Sequence, residues 1–297
     1  MTPSQLDALT QINLDDLVTS IGWENQTFLA ALIRKLFFNA ARKFARQMAD
    51  YDTAVGNTNL AEASRCIAQR LYVDDVRVHG IENIPHHGPA LFLSNHPGMA
   101  DTLSLFASIN RTDLKIIAWH RPFLENLGNI TKQLFFIDDG PVKRMNAVRQ
   151  VSNHLRNGGS VLTFPAGEIE PDPFVYLGAL ESLNNWTDSA GVFIRFAPET
   201  KIIPVLVSGV IWDKAATHWL LRFKKTRFER EKLAAALQLL VLIMHDARPN
   251  TVHVRFAKPI TVQDIGSTDT QVIHQAVLKR MSELIQCSSD EEGMSAL

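Results

Sequence analysis

Cysteine is almost missing from this 297-residue chain: there are two, Cys66 and Cys287, far apart and in no metal-ligand spacing. Two isolated thiols exclude a disulfide framework and a cysteine-based zinc site, and fit a reducing compartment. A long hydrophobic run is missing too. The most apolar stretch, Leu233 to Met244, is interrupted at Gln238 and is short of the roughly 20 residues that cross a bilayer. Membrane contact is therefore expected to be peripheral. Charge of one sign is also lacking. A formal net charge of -1 provides no global basic field for nucleic acid, so attraction to a membrane must come from local patches. The N-terminal residues have neither a basic nor an apolar region of the kind a signal peptide needs. No repeat and no low-complexity segment is found.

What is present is ordinary for a globular protein, with 46% hydrophobic and 21% charged residues, enough to bury one sizeable core with a helical appendage. Residues 1–70 read as a helical region, with apolar residues at helical spacing from Leu6 to Arg70 and a break near Gly56-Asn57. From there to residue 285 the pattern changes to short β-rich runs: Val76–His79, Ala90–Ser94, Lys115–Ala118, Leu134–Ile137, Ser160–Phe164, Ile202–Val207 and Val252–Phe256. Most are separated by stretches long enough for a helix, such as Lys143 to Arg156. This alternation predicts an α/β fold, with a mostly parallel central sheet flanked by helices and an N-terminal helical segment at a membrane surface. A last helix is expected over Gln271–Gln286, and residues 286–297 read as a loose acidic tail.

Phe28 to Met48 is the membrane-facing candidate. On a helical wheel Leu32, Ile33, Leu36, Phe37, Ala40 and Phe44 share one broad arc. Arg34, Lys35, Arg42 and Arg46 lie outside it and Lys43 at its edge, with no acidic residue in the stretch. A cationic polar face opposite an apolar one suits an interfacial helix, and equally a helix packed on the domain with a solvated basic side. A second basic cluster, Arg222 to Lys232, holds six Lys/Arg and two Glu. It reads as a solvated face beside a core helix.

The segment richest in chemistry is Leu93-Ser-Asn-His-Pro-Gly-Met-Ala-Asp101. An apolar strand ends at Ser94, and Pro97 suits a first helical position, where its missing N–H has no partner to lose. That would leave His96 in the strand-to-helix turn, free to fold its ring back on Asp101, with Gly98 keeping the approach open for substrate. A His–carboxylate pair is the base half of a catalytic triad, and it can deprotonate an acceptor hydroxyl or amine directly. The carboxyl end of a strand is also where open α/β sheets bind ligands. By itself His-x4-Asp is weak, and a capping histidine with a surface aspartate would give the same spacing. A second strand, Ser160 to Phe164, runs into Pro165-Ala-Gly-Glu-Ile-Glu-Pro171, a further ligand-facing loop, and Ile203-Pro-Val205 is a proline-bearing buried strand.

Taken together, Asn95-His-Pro-Gly-Met-Ala-Asp101, Phe136-Ile-Asp138, Phe164-Pro-Ala-Gly167 and Ile203-Pro-Val205 resemble, in order and approximate spacing, the glycerolipid acyltransferase family. That family includes the glycerol-3-phosphate and 1-acylglycerol-3-phosphate acyltransferases. The resemblance extends over roughly Val76 to Pro259. It implies transfer of a fatty acyl group from acyl-CoA or acyl-carrier protein to a glycerolipid-like acceptor, with no metal or other cofactor. It further implies His96 as catalytic base, Asp101 as its partner, Asn95 as a turn-former, and Phe164, Pro165, Ala166, Gly167 and Glu168 as the acceptor loop. The enzyme would sit on the cytoplasmic face of a membrane.

Two departures bear on the acceptor. The family's second motif usually ends in arginine, where this chain has Asp139, and its third usually reads Phe-Pro-Glu-Gly-Thr-Arg, where this chain has Phe164-Pro-Ala-Gly-Glu-Ile169. Both arginines expected on an acceptor phosphate are absent, and arginine is the natural bidentate phosphate binder. Lys143 and Arg144 are the candidate substitutes, Arg121 a candidate pocket residue with Asn95 and Gly98, and His120 a structural histidine. Glu168 and Glu170 would suit a hydroxyl-rich or amine acceptor. Three rivals stay open: a thioesterase, a non-catalytic lipid-binding protein, and a metal-dependent hydrolase drawing on His96, Asp101, Asp138, Asp139 and Glu168.

Overall fold

In the computed structural model, residues 3–21, 26–245 and 250–291 are described. All seven expected strands form: β1 (Asp75–His79), β2 (Ala90–Ser94), β3 (Leu114–Trp119), β4 (Leu134–Ile137), β5 (Ser160–Thr163), β6 (Lys201–Ser208) and β7 (Thr251–Phe256). They make one sheet in the order β1-β7-β6-β2-β5-β3-β4. Every neighbouring pair is parallel except β6 with β7. The fold is thus α/β, with a mostly parallel sheet. The longer helices are α1 (Pro3–Ile21), α2 (Thr27–Asn57), α3 (Leu60–Ile67), α4 (Met99–Ile109), α5 (Pro141–Arg156), α6 (Ser189–Phe196), α7 (Arg227–His245) and α8 (Thr270–Glu291).

The period of two in the central strands sends alternate residues to opposite faces. Phe92, Ile203, Val205 and Val207 belong to one core cluster, with α2, α3 and α4. Leu91, Leu93, Ile202 and Leu206 belong to the other, with α5, α6 and α8. The strand order matters for the site. From β2 the chain crosses to β3 and β4, returns to β5 beside β2, and then enters β6 on β2's other edge. The carboxyl ends of β5, β2 and β6 therefore lie side by side at a switch in winding direction, where such sheets open a ligand crevice.

Pro204 fits β6 without costing a ladder bond. Pairing to β7 stops at Val205–Phe256 and resumes only at the isolated Ile202–Ile260 bridge. Pro204 sits in that gap, where its carbonyl accepts from Ala257 N and no partner waits for an N–H.

α1 and α2 run antiparallel, as the pairs Asp7–Arg42 and Asp15–Arg34 show. These pairs occupy two of the cations on the basic face of Phe28–Met48. The apolar arc also divides in two. Phe28 and Leu36 are 79% and 69% exposed, whereas Ala40, Ala45 and Met48 are buried and Phe44 stacks on Phe123. The second half of α2 is core because Asp52, farther along it, accepts the N–H groups of Asn129 and Ile130 and draws the helix onto the domain. At the other end, α8 continues to Glu291, past the expected stop at Gln286, because the buried stripe Ile273, Val277, Met281, Ile285 extends to Ser288. Residues 292–297 of the expected tail lie outside the described residues.

Candidate active site

β2 delivers Ser94 and Asn95 to the end of the sheet. Asn95 is buried and pinned: its amide donates to Val207 O at 2.8 Å and accepts from Val207 N at 2.8 Å. It extends the β2–β6 pairing by one side chain, so it braces the turn from behind and does not line a pocket as expected. The next residue, His96, is held from the other side. Its N–H donates to Glu170 Oε2 at 3.2 Å, and its carbonyl accepts from Glu170 N at 2.9 Å.

The helix begins later than the sequence suggested. α4 starts at Met99 with Gly98 as its cap, leaving Pro97 outside it. Asp101 is therefore the third helical residue, where a carboxylate can reach back to the cap N–H, and Asp101 Oδ2 accepts from Gly98 N at 2.8 Å. The same carboxylate lies 2.9 Å from His96 Nδ1 and accepts from Thr102 Oγ1 at 2.8 Å. An acceptor at Nδ1 fixes the imidazole proton there and leaves Nε2 with its lone pair. Nε2 has no partner among the described residues, and the His96 side chain is 28% exposed while that of Asp101 is fully buried. Gly98 is closely packed: a Cβ there would come within 3.3 Å of Val210 Cγ1.

Burial lowers the affinity of His96 for a proton, but the Asp101 charge and hydrogen bond, with help from Glu170, outweigh it and raise the pKa above its ordinary 6.5. Arg121 opposes them, which makes it the cation whose field acts on His96. Arg121 is exposed and has no ion-pair partner among the described residues. Lys143 and Arg144 differ from it. They lie on the first turn of α5 and face Asp138 at 3.5 Å and Asp139 at 3.2 Å. His120 joins the same acidic pair, bonded to Glu125 and 3.5 Å from Asp138.

β5 supplies the second wall. Phe164 sits with its ring 4.7 Å from the His96 ring. Phe164–Gly167 closes a turn, Gly167 N donating to Phe164 O at 3.0 Å with Gly167 at φ +69°. Pro165 is buried, Ala166 half-buried, and Gly167 and Glu168 are exposed. Among the described residues Glu168 has no partner.

Glu170 corrects the sequence reading. It is 3% exposed and fully engaged, accepting from Trp186 Nε1 at 2.7 Å and Ser182 Oγ at 3.2 Å besides His96 N. Burial pushes its pKa up to about 7 against these bonds. It positions His96 and has no face left for an acceptor. Asp172, which the sequence reading missed, does the same for the loop after β6. It is fully buried, accepts from Gly209 N and Ile211 N at 3.0 and 2.8 Å, and burial raises its pKa to about 6. The available signal was the alternation Glu170-Pro-Asp172-Pro173, two carboxylates in a proline-stiffened stretch next to the glycine turn. Trp119 was missed as well. It ends β3 half-exposed, with its indole nitrogen 3.7 Å from where a Gly167 Cβ would be. Among the described residues no three His, Cys, Asp or Glu side chains converge on a metal-ion position.

Comparison with known proteins covers this region. Residues 75–208 match the family model described as Acyltransferase. Among solved structures the chain is similar to the 1-acyl-sn-glycerophosphate (LPA) acyltransferase PlsC from Thermotoga maritima. That similarity is 15% identity over 82% of this chain and 96% of that one, with a TM-score of 0.46. No curated protein matches. The matched stretch contains His96, Asp101 and both loops at the sheet's carboxyl edge.

Proposed function

We propose that this protein transfers a fatty acyl group from an acyl-CoA or acyl-carrier-protein thioester to a hydroxyl, or an amine, of a glycerolipid-like acceptor. The observation that carries the reading is the His96–Asp101 pair, 2.9 Å apart, with the second imidazole nitrogen unengaged at a ligand-binding sheet edge. The acceptor O–H gives its proton to His96 Nε2 as its oxygen attacks the thioester carbonyl. Asp101 stabilises the imidazolium so formed, a contribution of roughly 10²–10⁴-fold for such a positioned base. The tetrahedral oxyanion is met by backbone N–H groups of the α4 start or the 164–168 turn. Collapse breaks the C–S bond, and the departing thiolate takes the proton back from His96.

The acceptor side is assigned to Glu168 and Arg121, an exposed carboxylate and an exposed guanidinium without ion-pair partners among the described residues. With Lys143 and Arg144 committed to Asp138 and Asp139, Arg121 is the cation best placed for an acceptor or donor phosphate. The exposed first half of Phe28–Met48, with Lys35 exposed and without an ion-pair partner among the described residues, suits contact with the cytoplasmic face of a membrane. No helix among the described residues is long and apolar enough to cross one.

The test is free-thiol release from a panel of acyl-CoAs, with and without a mixed lipid acceptor, for wild type and His96→Ala. Acceptor-dependent release that disappears in the variant is expected. Release that ignores acceptors yet needs His96 would make the protein a thioesterase, and unchanged release in the variant would refute the mechanism.

A further inference from the structure

The chain between β6 and β7 lies outside the matched stretch, and its surface is unlike the solvated face that its lysines and arginines suggested. Trp219 and Phe223, packed edge to face at 5.8 Å, are 60% and 75% exposed, and Phe228 is exposed beside them at the start of α7. A second segment with exposed apolar side chains, Phe174, Leu177 and Leu180, abuts this one. The two meet where the Arg227 guanidinium lies against Gly178, so closely that any side chain at 178 would collide with it.

In the 222–232 cluster cations outnumber carboxylates, while Glu181 beside Leu180 is an exposed carboxylate. Both acidic residues of the cluster are engaged: Glu229 caps the helix start through Thr226, and buried Glu231 pairs with Arg227. Arg222, Lys225 and Lys232 are exposed and have no ion-pair partner among the described residues. Bulky aromatic and leucine side chains left in water beside free cations match a lipid interface, where rings sit among headgroups and cations meet anionic lipid.

We infer that Trp219–Phe228, with the adjoining Phe174–Leu180 loop, is a second membrane-contact surface, separate from α2 and selective for anionic bilayers. The Phe174–Leu180 loop follows directly on Glu170 and Asp172, which hold His96 and the loop after β6. Docking there would bring the loop that holds His96 to the lipid. The inference extends the membrane reading above but rests on different residues.

Co-sedimentation with vesicles tests it, using phosphatidylcholine alone and phosphatidylcholine mixed with phosphatidylglycerol. The proteins are full-length wild type, Trp219→Ser with Phe223→Ser, Arg222→Gln with Lys225→Gln, and Phe28→Ser with Leu36→Ser. The aromatic variant should lose binding to both vesicle types. The charge variant should lose binding only to the anionic vesicles, by roughly fivefold per cation. All substituted side chains are exposed, so thermal unfolding should match wild type and report a folded chain. Wild-type binding by both the aromatic and the charge variants, with binding lost only in the α2 variant, would overturn the inference. So would vesicle-independent behaviour in which the patch retains an acidic carrier protein and no lipid. Thiol release from a water-soluble acyl-CoA, measured in parallel without vesicles, separates this result from the catalytic reading. With a soluble acceptor supplied it should be unchanged in the patch variants, and its absence in wild type with both acyl-CoA and acyl-carrier-protein donors would sink the acyltransferase proposal without touching the binding data.

Discussion

His96 owes its proton affinity to three neighbours, and each has a separable effect. As general base the ring must be neutral, so kcat/KM should rise with pH through the His96 pKa, which lies above the ordinary 6.5. Asp101→Asn removes the main cause of that elevation and the partner that fixes the Nδ1 proton. It should move the rise to lower pH and lower kcat by about 10²–10⁴-fold. Glu170→Gln removes a charge that acts on the ring only from behind the backbone. Its expected signature is a smaller shift in the same direction, with KM for the acceptor little changed. An unmoved pH profile with a raised KM would instead return Glu170 to an acceptor-binding role. The sequence pointed to His96 and Asp101 through the ordered motifs that resemble the glycerolipid acyltransferase family, since His-x4-Asp by itself is weak. It could not assign Glu170, because a carboxylate in a loop looks the same whether its partners are solvent or a distant indole.

At the scale of elements, the site is a junction of three strand ends tied by side chains that imitate the sheet. Asn95 ties β2 to β6, Glu170 ties the β5 loop to His96, and Asp172 ties that loop to the turn after β6. Asp172→Asn should expose how much the last tie contributes. An amide in its place offers a donor to backbone N–H groups that need acceptors, leaving at least one buried N–H unpaired, at a cost of about 1–3 kcal/mol. Urea unfolding should register that loss, and acyl transfer should fall with it as the loop that packs on Gly98 loosens. All seven strands were legible from their β-branched and apolar runs, since each is short, apolar and bounded by turn residues. The start of α4 was misplaced by two residues because Pro97 satisfies a first-helical-position rule that Gly98 and Asp101, acting as cap and capping carboxylate, override.

Across the whole molecule, buried ionisable groups couple stability to pH in one direction. Glu170 and Asp172 have folded pKa values of about 7 and about 6, above their ordinary 4.5 and 3.8. Between the unfolded and folded values the native state binds more protons than the unfolded chain, so stability falls as pH rises through that window. His96, raised above 6.5, contributes stability that is present below its unfolded pKa and is lost as pH rises through the folded one, the same sign. Urea midpoints measured between about pH 5 and 8 should therefore decline, and Glu170→Gln should flatten the decline. A midpoint that climbs steadily over that range would mean these groups are not buried as described.

The sequence by itself determined the alternation of strands and helices and the approach of His96 to Asp101 at a strand end. These are local matters of periodicity, spacing and length. Only the tertiary structure decided which carboxylates are buried against the backbone and which stay exposed, and which half of α2 is surface. It alone decided that Lys143 and Arg144 pair with Asp138 and Asp139. Those outcomes depend on contacts between residues tens of positions apart, where burial and pairing, not residue type, set what a charge can do.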